Sequence, residues 1–135
     1  MLIPALLAAT VAIEWKPVAS LSLGLGGHVA IVQGGHVVVI GGTSWSGDQK
    51  SWHDEIWRLD DQSWSRVGSI PIGLAYPSLA QVGESHYLAG GWMKDGASME
   101  VLRYANGRCE AVKTRLRTFV MPAMYRPAWR RRAIT

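Results

Sequence analysis

The stretch HVVVIGG at residues 36–42 is followed, 49 positions later, by SHYLAGG at residues 85–91. Laying residues 15–47 on residues 64–96 at that constant offset needs no gap. Trp15 then meets Trp64, Val18 meets Val67, Gly24 meets Gly73, and the Gly41-Gly42 pair meets Gly90-Gly91. Nine identities in 33 aligned pairs, several at tryptophan and glycine, mark two copies of one unit. Self-similarity at a period of roughly 20–50 residues is the mark of a repeat architecture.

The content of each unit is β. Residues 36–40 are too β-branched and too short for a helix. Gly34-Gly35 before them is a two-residue hairpin signal, since glycine takes positive φ without a steric cost. The first copy reads as strands at 28–33, 36–40, 54–59 and 64–67, with a polar loop over 43–52 and a turn over 60–63. In the third strand Ile56 and Trp57 face opposite sides. The second copy reads as strands at 74–82, 85–89 and 101–104, with a degenerate outer strand near 109–112 that lacks a tryptophan. Nothing along the chain has the pattern of an amphipathic helix.

Four antiparallel strands repeating near 50 residues resemble the blade of a kelch-type β-propeller. The features that carry the resemblance are a Gly-Gly pair closing the second strand, an aromatic in the third (Trp57, Tyr104) and a tryptophan in the fourth (Trp64). The expected fold class is all-β, with about two four-stranded antiparallel blades of an incomplete propeller. Trp15 is expected to lie on the outer strand of a preceding blade. Propellers have about four to eight blades, so two cannot close a ring. The chain is therefore read as a fragment of a longer propeller, with open blade edges able to pair with other copies.

Composition agrees with an ordered domain: 135 residues, 48% hydrophobic and 18% charged. The net charge of +4 hides an asymmetry, because no acidic residue follows Glu110 while seven of the 14 Lys and Arg do. The expected division is an apolar N-terminal segment at 1–14, the repeat region at 15–112, and a basic tail at 113–135. The tail's AMYRPA (123–128) reads as a degraded echo of LAYPS (74–78), so its arginines are not taken as a nucleic-acid site. No run of 18 apolar residues predicts a membrane span. Residues 1–13 lack the positive start of a secretory signal, which leaves bacterial cytoplasm and periplasm both open. A single cysteine, Cys109, has no internal partner, and His28, His36 and His86 have no metal-ligand spacing; neither metal nor cofactor is expected.

The strings GGTSWSGDQKSWHDEIWRL (41–59) and VGSIPIGLAYPS (67–78) are similar to those of the N-acetylneuraminate epimerase (sialic-acid mutarotase) family and its cyclically permuted relatives. The shared features are Trp52-His53-Asp54, Val67-Gly68, Ile70-Pro71 and Leu74-Ala75-Tyr76; the chain departs at Ile72-Gly73, where a second proline is common. The resemblance implies exchange of the α and β anomers of a sugar acid by opening and reclosing its ring. Such chemistry needs a base for the anomeric hydroxyl, an acid for the ring oxygen and a cation for the carboxylate. The residues singled out for it are His53, Asp54 and Arg58, with Trp45, Lys50, Trp52, Tyr76 and Trp92 as ligand contacts. The loop at 43–52 and the segment 70–76 are expected to share one rim. Each residue also has a structural reading: Asp54 as a turn acceptor, His53 as a packed loop residue, Arg58 as a solvated strand residue, the tryptophans as filling between blades. The rival to a small-molecule sugar-acid ligand is a protein partner held by a kelch scaffold without catalysis.

Overall fold

The structure, a computed structural model, describes residues 12–113. The apolar residues 1–11 and the basic tail from 114 onward lie outside the described residues.

Four strands, β1 (Val29–Gln33), β2 (His36–Ser46), β3 (Gln49–Asp60) and β4 (Ser63–Ser69), form one antiparallel sheet in sequence order. A second sheet takes β5 (Ser78–Val82), β6 (Ser85–Ala89), β9 (Val101–Ala105) and β10 (Arg108–Ala111), also as an antiparallel meander. Between β6 and β9 lies a small hairpin of β7 (Trp92–Met93) and β8 (Gly96–Ala97). No helix long and apolar enough to cross a membrane occurs among the described residues.

The core joins the two sheets. Val29 and Ile31 of β1, Val38 and Ile40 of β2 and Ile56 of β3 are buried in one cluster with Leu88, Leu102 and Tyr104 of the second sheet. Alternate residues of each strand supply this cluster, as a half-buried strand requires. Ile70 and Leu74, on the segment that leads from β4 to β5, complete it. Burying one face of each sheet against the other is what makes two marginal meanders one hydrophobic unit.

Several boundaries differ from the sequence reading, each for a local reason. The strand read at 36–40 does not end at Gly41-Gly42: β2 runs on to Ser46 and pairs with β3 from Gln49, so the expected loop at 43–52 is a hairpin extension turning at Gly47-Asp48. The doublet is a register change instead of a terminus. Ile40 pairs with Ile56 and Gly42 with His53, which leaves Asp54 and Glu55 together opposite Gly41. Gly41 and Gly42 take φ values of 62° and 107°, which side chains on L residues rarely tolerate. The strand read at 74–82 begins only at Ser78, because Pro77 has no N–H for a ladder and Tyr76 is left-handed, with φ 56°. No strand forms at Trp15, which is 90% exposed; residues 12–25 have no ladder partner among the described residues, and Ala19 instead gives its carbonyl to Trp64 Nε1 at 2.8 Å. The degenerate outer strand does form, as β10, turned by Asn106-Gly107 with φ 49° and 76°. An Asn-Gly pair at positive φ is a hairpin turn whose twist matches its strands.

At the end of the first sheet opposite the Gly-Gly doublet, an ionic cluster ties β2, β3 and β4 together. Arg58 donates to Asp60 through Nε at 2.7 Å and Nη2 at 3.1 Å, Ser65 donates to Asp60 at 2.6 Å, and His36 Nδ1 lies 3.3 Å from the same carboxylate. The Arg58 guanidinium and the Ser65 hydroxyl hold the Asp60 carboxyl below its ordinary value of 3.8. A lowered folded value means the stabilisation is present above the ordinary range and is lost as pH falls through the lowered one. Acid titration of stability should therefore decline less steeply below pH 4 in an Asp60→Asn chain than in the parent, as followed by tryptophan fluorescence.

Candidate functional site

The segment from Ile70 to Pro77 threads between the two glycine doublets and is stitched to both. Leu74 takes the Gly42 N–H at 2.8 Å and gives its own N–H to His53 at 3.2 Å; Ala75 exchanges two hydrogen bonds with Trp92, at 2.7 and 2.9 Å; Tyr76 donates to Gly27 at 2.7 Å. The doublets are glycine because of this approach. A Cβ on Gly41 would stand 2.5 Å from the Leu74 oxygen, and one on Gly91 2.6 Å from the Ala75 oxygen. Gly73 in turn lies flat on Trp52, where a Cβ would meet the Trp52 main chain at 3.0 Å.

This crossing brings the extended hairpin and the inter-blade segment to one rim. A groove of about 360 Å³ opens there, lined by Lys50, Trp52, Tyr76 and Trp92. Trp45 and Lys50 are paired across the hairpin. The Lys50 ammonium stands 4.5 Å from the centre of the Trp52 ring and 5.6 Å from that of Trp45, held by the negative faces of both rings. Tyr76 sits with its ring against Gly27, so close that a Cβ there would fall 2.6 Å from the ring. Its left-handed backbone stores about 1–3 kcal/mol, a kind of strain that concentrates at ligand clamps. Tyr76 is 60% exposed and lines the groove.

The chain resembles the N-acetylneuraminate epimerases. It is 25% identical over 109 residues to the enzyme of Haemophilus influenzae, covering 64% of this chain and 29% of that protein. It is 30% identical over 88 residues to the enzyme of Brucella suis, covering 54% and 23%. The chain thus spans less than a third of the length of these curated relatives. Among solved structures it matches YjhT, a β-propeller, with a TM-score of 0.63 at 18% identity, over 73% of this chain and 34% of that one. That likeness is one of fold, and the two packed sheets are two blades of an incomplete propeller. No protein-family model matches the chain.

The residues singled out in sequence are not all brought together. Lys50, Trp52, Tyr76 and Trp92 share the groove, with Trp45 beside Lys50. Asp54 lies at the register change two positions beyond Trp52; its carbonyl accepts from Ile70, and its carboxylate makes no hydrogen bond or ion pair among the described residues. Arg58 lies six residues along β3 from Trp52, about 20 Å at the usual strand rise, and its charge is committed to Asp60. It is not part of the rim. His53 is the neighbour of Trp52 on β3 and Ser44 the neighbour of Trp45 on β2, so both point to the other face of the hairpin. There Ser44 Oγ meets His53 Nε2 at 2.7 Å, and His53 Nδ1 stands 3.3 Å from Glu55 Oε2. Ser44 and Glu55 carried no signal in the sequence: Ser44 lay in what read as a loop, and only the hairpin ladder brings it to His53.

Cys109 is not a candidate nucleophile. It is half-buried against the core, and burial pushes its thiol up to about 11, so it carries its proton at neutral pH.

Proposed function

We propose that this chain forms one inter-blade groove of a kelch propeller that binds a sugar acid and, in the closed ring, exchanges its anomers. The observation that carries the reading is the lysine held over aromatic faces at the blade rim, in a chain that resembles N-acetylneuraminate epimerases. In this reading Lys50 takes the substrate carboxylate by a charge-assisted hydrogen bond. Trp52 and Trp92 pack on the apolar face of the pyranose, and Tyr76 offers a hydroxyl at the edge. Asp54, whose carboxylate makes no hydrogen bond or ion pair among the described residues, takes the anomeric proton as general base while a water molecule protonates the departing ring oxygen. The resulting hydroxide recovers the proton from Asp54, and the open-chain carbonyl recloses on either side by the reverse steps. His53 and Arg58 serve other roles.

The activity belongs to the ring and the binding to the groove, and the two can be tested apart. A chimera in which residues 28–112 replace the matched blades of the Haemophilus influenzae enzyme should exchange α- and β-N-acetylneuraminate faster than buffer, followed by NMR, and its Asp54→Asn variant should not. A folded chimera that exchanges no faster than buffer would leave the protein-binding scaffold as the better reading.

An open blade edge accompanies this reading. β5 ends the second sheet and is exposed along its length, with Val82 at 66%. Exposed strand edges template association. Light scattering on the purified chain should give a mass above the monomer, shifted toward it by Val82→Lys; a monomer at all concentrations would refute the open edge as a contact.

A further inference from the structure

On the face of the β2–β3 hairpin away from the groove, a hydroxyl, an imidazole and a carboxylate stand in a line. Ser44 Oγ is 2.7 Å from His53 Nε2, and His53 Nδ1 is 3.3 Å from Glu55 Oε2. The Glu55 oxygen is buried and has no hydrogen-bond partner among the described residues, so the imidazole is its close polar neighbour. The negative charge of a carboxylate 3.3 Å from Nδ1 favours the tautomer with the proton on that nitrogen, although the two groups are not aligned as a hydrogen bond. Nε2 is then left as an acceptor, and the Ser44 hydroxyl donates to it. A nucleophile within hydrogen-bond reach of a base, with a third group orienting the base, is the recurring arrangement of covalent catalysis on unrelated folds. The ladder fixes it from both strands, since Gly42 pairs with His53 and Ser44 with Ser51. Ser44 is only half-buried, so a small electrophile can reach it.

We infer that Ser44, His53 and Glu55 form a second reactive centre, separate from the groove, in which Ser44 is an activated nucleophile toward small carboxylic esters. Ser44 Oγ bonds to the carbonyl carbon as its proton passes to His53 Nε2 and the carbonyl electron pair moves onto oxygen. That oxygen lies on the side of Ser51, whose hydroxyl is the cross-strand neighbour of Ser44 on the same face. Collapse breaks the bond to the alcohol oxygen, which leaves with the proton from Nε2. Water then attacks the acyl-serine in the same way, releasing the acid and restoring Ser44. Glu55 is a positioning residue, acting through His53 by holding its tautomer and stabilising the imidazolium. The inference does not depend on the sugar-acid reading, because neighbouring residues on the hairpin divide between its two faces.

The test is the whole 135-residue chain incubated with an alkyl fluorophosphonate, with modified peptides mapped by mass spectrometry. Ser44 should be modified at least about tenfold faster than Ser46 and Ser51 of the same hairpin. His53→Ala should slow that reaction by about 10²-fold or more, the usual scale of a general base. Glu55→Gln, which keeps the shape of the side chain, should slow it by a smaller factor while leaving the unfolding midpoint close to the parent's. Hydrolysis of p-nitrophenyl acetate should exceed that of the Ser44→Ala chain. Modification of Ser44 no faster than Ser46, or a rate unchanged in Glu55→Gln and in a His53→Ala chain with the parent's circular dichroism, would overturn the inference.

Discussion

Replacing Gly41 by alanine is expected to remove about 3–5 kcal/mol of folding stability, a large part of what a domain of this size has. Two costs add at this position. The backbone sits at φ 62°, where a side chain costs about 1–2 kcal/mol. The new Cβ would also stand 2.5 Å from the Leu74 carbonyl oxygen. Relief means pushing Leu74 away, which breaks the Gly42 N–H bond to that oxygen at 2.8 Å and loosens a side chain at the centre of the inter-blade core. Gly34→Ala supplies the control, because it shares the positive φ, at 58°, but a Cβ there meets nothing within 4 Å. Urea unfolding followed by tryptophan fluorescence should give a loss near 1 kcal/mol for Gly34→Ala and several times that for Gly41→Ala. Equal losses would mean that the doublet serves the turn geometry alone and not the contact with the crossing segment.

The second large effect is expected in binding. Lys50→Met keeps an unbranched apolar side chain beside Trp52 and removes the charge that stands over its ring. A hydrogen bond to a charged group contributes about 1.5–3 kcal/mol, so affinity for N-acetylneuraminate should fall about 10- to 100-fold. Affinity for a neutral N-acetylated sugar should change little. Calorimetric titration of both ligands against parent and variant checks this; a parallel fall for both would mean that Lys50 organises the rim without meeting the carboxylate.

The fold was largely legible because its decisive residues are punctuation. Gly34-Gly35, Gly41-Gly42 and Gly90-Gly91 are positions where backbone geometry forces the residue type, and the 49-residue spacing of the last two exposes the repeat before any strand is drawn. The buried alternation of Val38 and Ile40 could likewise be read from HVVVI. Gly90-Gly91 does close β6, but Gly41-Gly42 lies within β2 and redirects it. Glycine at positive φ both terminates and redirects strands, and only the partner, the Leu74 carbonyl, distinguishes the two. The hairpin beyond it was hidden by its polarity: residues 45–51 face solvent at the rim, so the stretch lacks the apolar period that announces a strand. The hairpin's content was better read than its form, since Lys50 and Trp52 share the groove with Tyr76 and Trp92. Arg58 was drawn to the rim by its closeness in sequence to His53, whereas each residue of an extended strand carries the chain about 3.3 Å further away. Ser44 and Glu55 were invisible for the opposite reason: they approach His53 through pairing and not through sequence motif.

The most direct test of the sugar-acid groove is an NMR titration of the 135-residue chain with N-acetylneuraminate, reading the indole N–H signals of Trp52 and Trp92 assigned by Trp→Phe substitution. Both signals are expected to move together and saturate, while a neutral N-acetylated sugar at the same concentration leaves them in place. Indoles that stay still at saturating N-acetylneuraminate, or that respond equally to the neutral sugar, would contradict the account.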